Sequence, residues 1–219
     1  MTLRILYADE LRGLARSKVM IALWVGLPLL TLLVKLIQPD TEGVPLLIFA
    51  AVLVGSIGGT LSAVLLSTMI TGERNRHVYD LFLTRPVRRS SLLLAKFFAA
   101  LTCLFAAAVG SIALAAAVDA ATGALMPGLA TQLGESLLVS MAGMTIASAV
   151  GVLFGVLIES IAVSAILSVY LGNQLSAIII LPAVLVEGLN VPLFAGLVGA
   201  LVPAVLMAVA IAVFKRKSL

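Results

Sequence analysis

The side chains able to do chemistry are few, and most of them crowd into one stretch. Gly72 to Lys96 reads GERNRHVYDLFLTRPVRRSSLLLAK. It holds six of the fourteen Lys and Arg residues (Arg74, Arg76, Arg85, Arg88, Arg89 and Lys96) and the only histidine, His77. A single histidine placed there leaves the apolar parts of the chain without a Ser–His dyad or a His-based zinc site. The single cysteine, Cys103, excludes an internal disulfide and a Cys-rich metal centre; it lies in an apolar run and reads as a small packing residue. There is no GxxxxGK[ST] loop and no Gly-Lys pair, so the chain has no P-loop with which to bind ATP. No paired acidic motif suggests a magnesium-dependent lipid transferase. The expectation is a chain that is not an enzyme, has no metal or cofactor of its own, and does not bind nucleic acid.

What the stretch can do is bind. Val78, Leu81 and Phe82 fall at i, i+3 and i+4, a short apolar stripe on a helix of two or three turns. Pro86 stops that helix, and Ser90 or Ser91 is placed to cap the next. A small amphipathic helix within a basic loop reads as a contact surface for a soluble partner.

The elements that must position it follow from composition. Hydrophobic residues make up 62% of the 219 residues and charged residues 11%, against roughly 45–50% and about 25% in soluble domains. The chain reads as an all-α integral membrane protein and one domain. Its apolar stretches of about 20 residues are helical spans, since barrel strands alternate and run to about 10 residues. The start, MTLRILYADELRG, is expected to carry no cleaved signal. Residues 2–17 place Leu3, Leu6, Tyr7, Leu11 and Leu14 on one helical face, with Arg4, Asp9, Arg12 and Arg16 mostly on the other. That pattern predicts a helix lying in the membrane interface. Six spans are expected at about 19–37, 45–71, 92–118, 133–157, 161–181 and 193–214. Pro28 is expected to kink the first.

Two spans carry ladders of small residues: Ala51, Gly55, Gly59, Ala63 and Ser67 in the second, Gly143, Ala147, Gly151 and Gly155 in the fourth. Such ladders let helices approach closely, and packing is favoured over pore lining. Polar groups at membrane depth are costly and therefore candidates for function. Asn173 and Gln174 sit about 12 residues into the fifth span, near its middle at about 1.5 Å per residue. They read either as a contact on the path of a transported molecule or as an interhelical hydrogen bond. Asp119 and Glu135 are expected at the outer interface, solvated. Glu159, in the tight Ile158-Glu-Ser160 turn, reads as a surface or docking charge.

Six spans put both termini on one side. Arg4, Arg12, Arg16 and Lys18, the six cations of the 72–96 stretch, and the three at the C-terminus then share that side, with only Lys35 toward the other. By the positive-inside rule the N-terminus, the 72–96 stretch and the C-terminus are expected in the cytoplasm.

The order of elements resembles the membrane subunit of type-2 ABC exporters: an amphipathic N-terminal helix, a kinked first span, an acidic-basic loop and a long third span. In that family the loop after the second span runs from an acidic residue through a short apolar helix and a Pro to basic residues. It closes on a run ending in Gly-Lys or Ala-Lys. Here those positions read Glu73, Tyr79-Asp-Leu-Phe-Leu-Thr-Arg85, Pro86, Arg88-Arg89 and Leu92-Leu-Leu-Ala-Lys96. The run AlaAspGluLeuArgGlyLeuAlaArgSerLys is similar to the family's N-terminal helix, and Gly155 to Ser160 to its second cytoplasmic turn. Arg76-His77-Val78 stands where the family has Glu-Gly-Thr.

The resemblance implies a permease subunit in the cell membrane that pairs with a second permease subunit, identical or closely paralogous. An ABC ATP-binding subunit, which carries ATP and Mg, would dock beneath each. The implied coupling helix is built on Glu73, Val78, Tyr79, Asp80, Leu81, Phe82, Arg85 and Pro86, with Glu159 in the second cytoplasmic turn. The cargo would be hydrophobic or amphipathic. The alternative is a six-span secondary transporter or channel without an ATPase, which would need intramembrane charges or broken helices in matching halves.

Overall fold

The computed structural model describes residues 3–37, 46–76, 89–121, 129–185 and 190–216. Within them the chain forms seven helices and no strand: α1 (Leu3–Ala15), α2 (Lys18–Ile37), α3 (Leu46–Asn75), α4 (Arg89–Ala121), α5 (Leu129–Leu157), α6 (Ile161–Leu185) and α7 (Val191–Arg216). Six of these, α2 to α7, are long and apolar enough to cross a membrane. The chain is a multi-pass, all-helical bundle with the six spans expected. The expected helix over Val78 to Arg85 lies outside the described residues.

Several boundaries move outward from the sequence reading. α3 continues to Asn75, so Glu73 and Arg74 are helical. α4 begins at Arg89, which places Ser90 and Ser91 inside its first turn rather than at its cap. α6 runs past Pro182 to Leu185. The helix starts that can be followed have chemical reasons. Ser17 breaks α1 from α2, and its hydroxyl accepts the Met20 amide at 3.2 Å as an N-cap. Asn190 caps α7 through the Leu193 amide at 3.2 Å, with Pro192 in the first turn, where its missing N–H does no harm.

α3, α4 and α5 form the centre, and α2, α6 and α7 lie outside them. The closest seam is α3 against α5. A methyl group placed on Gly151 would lie 2.5 Å from the carbonyl oxygen of Ala63 and 2.8 Å from its Cα; one on Gly155 would lie 3.2 Å from the Cα of Ser67. Gly55 faces Ser140, and Gly59 faces Gly143 and Ala147. The two ladders therefore pack on each other. Their numbers rise together along the seam, so α3 and α5 run parallel. Ser62 and Ser148 bond across it, hydroxyl to hydroxyl, at 2.8 Å.

Outside the seam, single polar bonds fix neighbours. The Trp24 indole N–H donates to the Cys103 carbonyl at 3.0 Å and ties α2 to α4. Pro203 removes the donor that the Gly199 carbonyl would have had within α7. The Thr145 hydroxyl of α5 lies 3.2 Å from that oxygen and supplies one. The outer helices expose leucine, isoleucine and valine, as lipid-facing surfaces do: Ile166 is 67% exposed on α6 and Leu201 62% on α7. Asp119 departs from expectation. It is 3% exposed near the end of α4, not solvated, because α4 continues past it to Ala121 and neighbours cover it.

The seam gives a direct test. Gly151→Ala forces a methyl into backbone and is expected to destabilise the protein by about 1–3 kcal/mol. Gly110→Ala, where nothing lies within 4 Å, is expected to leave it unchanged. Thermal unfolding of the two variants in the same detergent checks the difference.

Candidate functional site

The densest polar constellation sits where α3 ends, α4 begins and α5 turns into α6. α3 and α5 are parallel, so their C-terminal ends lie side by side. Each such end carries carbonyls without helical donors and a partial negative charge. α3 supplies the donors from its own last turn. The Thr71 hydroxyl donates to the Gly155 carbonyl at 3.2 Å. The Arg74 guanidinium donates through one nitrogen to the Val156 carbonyl and through the other to that of Ile158 at 2.8 Å. The Asn75 amide donates to the Glu159 carbonyl at 2.8 Å. Arg74 is 9% exposed, so its charge is spent on these carbonyls rather than on solvent.

A second group binds the end of α3 and the beginning of α4 to each other and to α1. The Lys96 ammonium lies 2.7 Å from a carboxylate oxygen of Glu10 and 2.7 Å from one of Glu73. Lys96 is 3% exposed, while the two glutamates keep access to solvent. A buried ammonium needs such partners, because desolvation alone would disfavour its charged form. The Glu73–Lys96 pair closes the chain from the end of α3 to the start of α4 across 23 residues. Glu10 brings α1 into the same cluster. One further bond, Tyr7 hydroxyl to Thr102 hydroxyl at 2.8 Å, holds α1 along α4. Leu6 and Leu14 of α1 are buried, and Tyr7 and Leu11 pack beside them.

The cluster therefore joins α1, α3, α4 and the 158–160 turn, and it is the base from which residues 77–88 depart and return. It brings together Glu73 and, by its backbone oxygen, Glu159, whose side chain is exposed. Val78, Tyr79, Asp80, Leu81, Phe82, Arg85 and Pro86 lie outside the described residues. Asn173 and Gln174 are elsewhere, exposed on the outer face of α6. They border a shallow groove of about 410 Å³ with Ala165, Ile166, Val169 and Tyr170. Among the described residues neither side chain has a hydrogen-bond partner. No group of three His, Cys, Asp or Glu side chains able to hold a metal occurs among the described residues.

Sequence reading missed Glu10, Asn75 and the task of Arg74. Lys96 carried a usable sign: it stands alone in LLLAKFFAAL, an apolar run in which a lysine requires a partner. Glu10 lies at the border of the apolar face of α1, where such a partner would be sought. The chain matches no known family model, and no curated protein matches it. Its functional reading therefore rests on its own residues.

Removing Lys96 leaves two carboxylates facing each other in a partly dry site. Lys96→Met is expected to destabilise the protein by about 2–4 kcal/mol, and Glu10→Gln by less, since Glu73 remains. A double-mutant cycle of the two by chemical unfolding is expected to give a coupling of about 1–2 kcal/mol.

Proposed function

We propose that this chain is the permease subunit of an ATP-driven transporter of the type-2 ABC exporter kind. It works in the cell membrane as a pair with a second copy or a close paralogue. Its termini and the 72–96 stretch lie in the cytoplasm, where an ABC ATP-binding subunit docks. The observation that carries this reading is the polar cluster beneath that stretch. A soluble partner can drive helices only if its contact is mounted on them stiffly. Residues 77–88 are rooted in a helix end held by four side-chain-to-carbonyl bonds and in a buried lysine shared by two glutamates. The sequence of the segment supplies the contact itself: Val78, Leu81 and Phe82 to insert, Asp80 and Arg85 to orient.

The mechanism follows from this mounting. Closure of the ATPase would push on the segment. The Glu73–Lys96 pair would share that push between α3 and α4, Glu10 would carry it to α1, and Arg74 and Asn75 to the 158–160 turn and so to α5 and α6. The outer face of α6, with Tyr170, Asn173 and Gln174 exposed, is the surface on which a second subunit or cargo would satisfy polar groups at membrane depth. A hydrophobic or amphipathic cargo suits the apolar spans. Export is the direction taken from the family resemblance.

The alternative, a six-span secondary transporter or channel, needs ionisable groups along an internal path. Among the described residues the buried Asp, Glu, Lys and Arg side chains are Arg74 and Asp119, near helix ends, and Lys96, two turns into α4 and paired with two glutamates. That distribution favours a partner-driven subunit.

The test is the double variant Leu81→Asp, Phe82→Asp, made in the chain together with its ATPase. Loss of ATPase binding and of substrate-stimulated hydrolysis is expected, with unfolding of the bundle unchanged. Undiminished binding and coupled export would overturn the assignment.

A further inference from the structure

Asn173 stands 12 residues from either end of α6, about 18 Å each way. It and Gln174 are the only carboxamides among the described residues that lie away from a helix end. Both are exposed. Facing hydrocarbon, such groups lose water and gain nothing in return, which is costly. The groove they border is lined by α6 residues alone, so one wall of it is present.

The exposed face of α6 also has a period. Val163, Ile166, Tyr170, Asn173 and Ala177 are all exposed, at spacings of three, four, three and four. That is the repeat by which two helices pack along a seam at a shallow left-handed crossing. The exposed stripe of α7 differs: Leu193, Leu197, Leu201, Val205 and Val209 are spaced by four and wholly aliphatic, as suits a face against lipid.

We infer that the α6 seam is the contact with a second copy of this chain, α6 against α6, and that Asn173 and Gln174 find their partners there. Every copy enters the membrane in the orientation set by the same cations. Two copies side by side, related by a two-fold axis along the membrane normal, therefore set their α6 helices parallel, and each seam residue meets its own counterpart. A carboxamide carries both donors and an acceptor, so Asn173 satisfies another Asn173. A charged side chain in that place would repel itself. One polar position in an otherwise apolar seam also fixes the register of the pair, and Ala177 lets the two backbones approach on its far side. The inference rests on the pairing in the proposed function and names its interface; it needs neither the ATPase nor a cargo.

Cysteine crosslinking of the full chain in membranes tests this. Cys103, the only cysteine, is buried, and Cys103→Ala gives the background. Ile166→Cys and Ala177→Cys are expected to yield disulfide-linked dimers roughly tenfold more efficiently than Leu29→Cys on α2 or Leu201→Cys on α7. In liposomes, energy transfer between labelled copies is expected to show dissociation of the pair raised roughly tenfold by Asn173→Leu with Gln174→Leu, with unfolding of the bundle unchanged, and Asn173→Gln is expected to keep part of the association. Linkage through α2 or α7, linkage from no position, linkage to a different polypeptide, or undiminished association in the leucine variant would each overturn the inference. So would a monomeric chain whose transport alone falls in that variant, the mark of a cargo contact. Linkage through α2 or α7 removes this interface and leaves the ATPase-driven pair standing. Linkage at 166 and 177 in a chain that binds no ATPase keeps the interface and removes the permease assignment. If the leucine variant fails to fold, crosslinking and Asn173→Gln decide alone.

Discussion

Two parallel helices that end side by side bring two negative dipole ends together, and this bundle resolves that with one arginine. α3 and α5 finish at the same end of the molecule, and their terminal carbonyls lack helical donors. Arg74 reaches from one helix to the last carbonyls of the other, flanked by Thr71 and Asn75. A cation near one exposed helix end contributes about 0.3–1 kcal/mol, and up to about 2 when partly buried. Here it also fixes the 158–160 turn against α3. Everything at this end, including both roots of the 72–96 stretch, is held relative to that contact.

The contact requires the small-residue seam above it. Arg74 can reach the Ile158 carbonyl only because Gly151 and Gly155 let α5 come within backbone distance of Ala63 and Ser67. A seam of leucines would hold the helices apart and leave the carbonyls open to water. In lipid, where apolar side chains gain little from leaving one another's company, close backbone packing and a few hydroxyl bonds such as Ser62 to Ser148 supply the cohesion. The same seam makes α3 and α5 one body, so a force applied at their charged end moves both.

The spans were legible from sequence for a physical reason. A membrane segment must satisfy its backbone internally, which forces long apolar helices whose length and composition can be read directly. The ladders were legible because spacing by four is a helical property, and Gly151 and Gly155 fell where a neighbour had to be close. The cluster itself was not legible in the same way. Glu73 was singled out from a motif, but that it shares Lys96 with Glu10 depends on α1 folding back along α4, a tertiary fact with no local sign. The burial of Asp119 was missed because α4 runs two residues further than its polar flank suggests. Asn173 and Gln174 were placed at membrane depth from sequence; their exposure on the outside of α6 required the bundle.

The proposed function treats this bundle, with Arg74 and Asp119 buried near helix ends, Lys96 buried two turns into α4 and the polar cluster at the roots of residues 77–88, as a subunit moved by something outside itself. The most direct measurement of that claim is Mg-dependent ATP hydrolysis by the chain purified from its native membrane in mild detergent, with the polypeptide content of the same peak determined. The expected result is hydrolysis that travels with this chain together with a second, ATP-binding polypeptide in fixed proportion. A homogeneous preparation of this chain alone that lacks hydrolysis, yet carries solute across liposome membranes on an ion gradient, would contradict it.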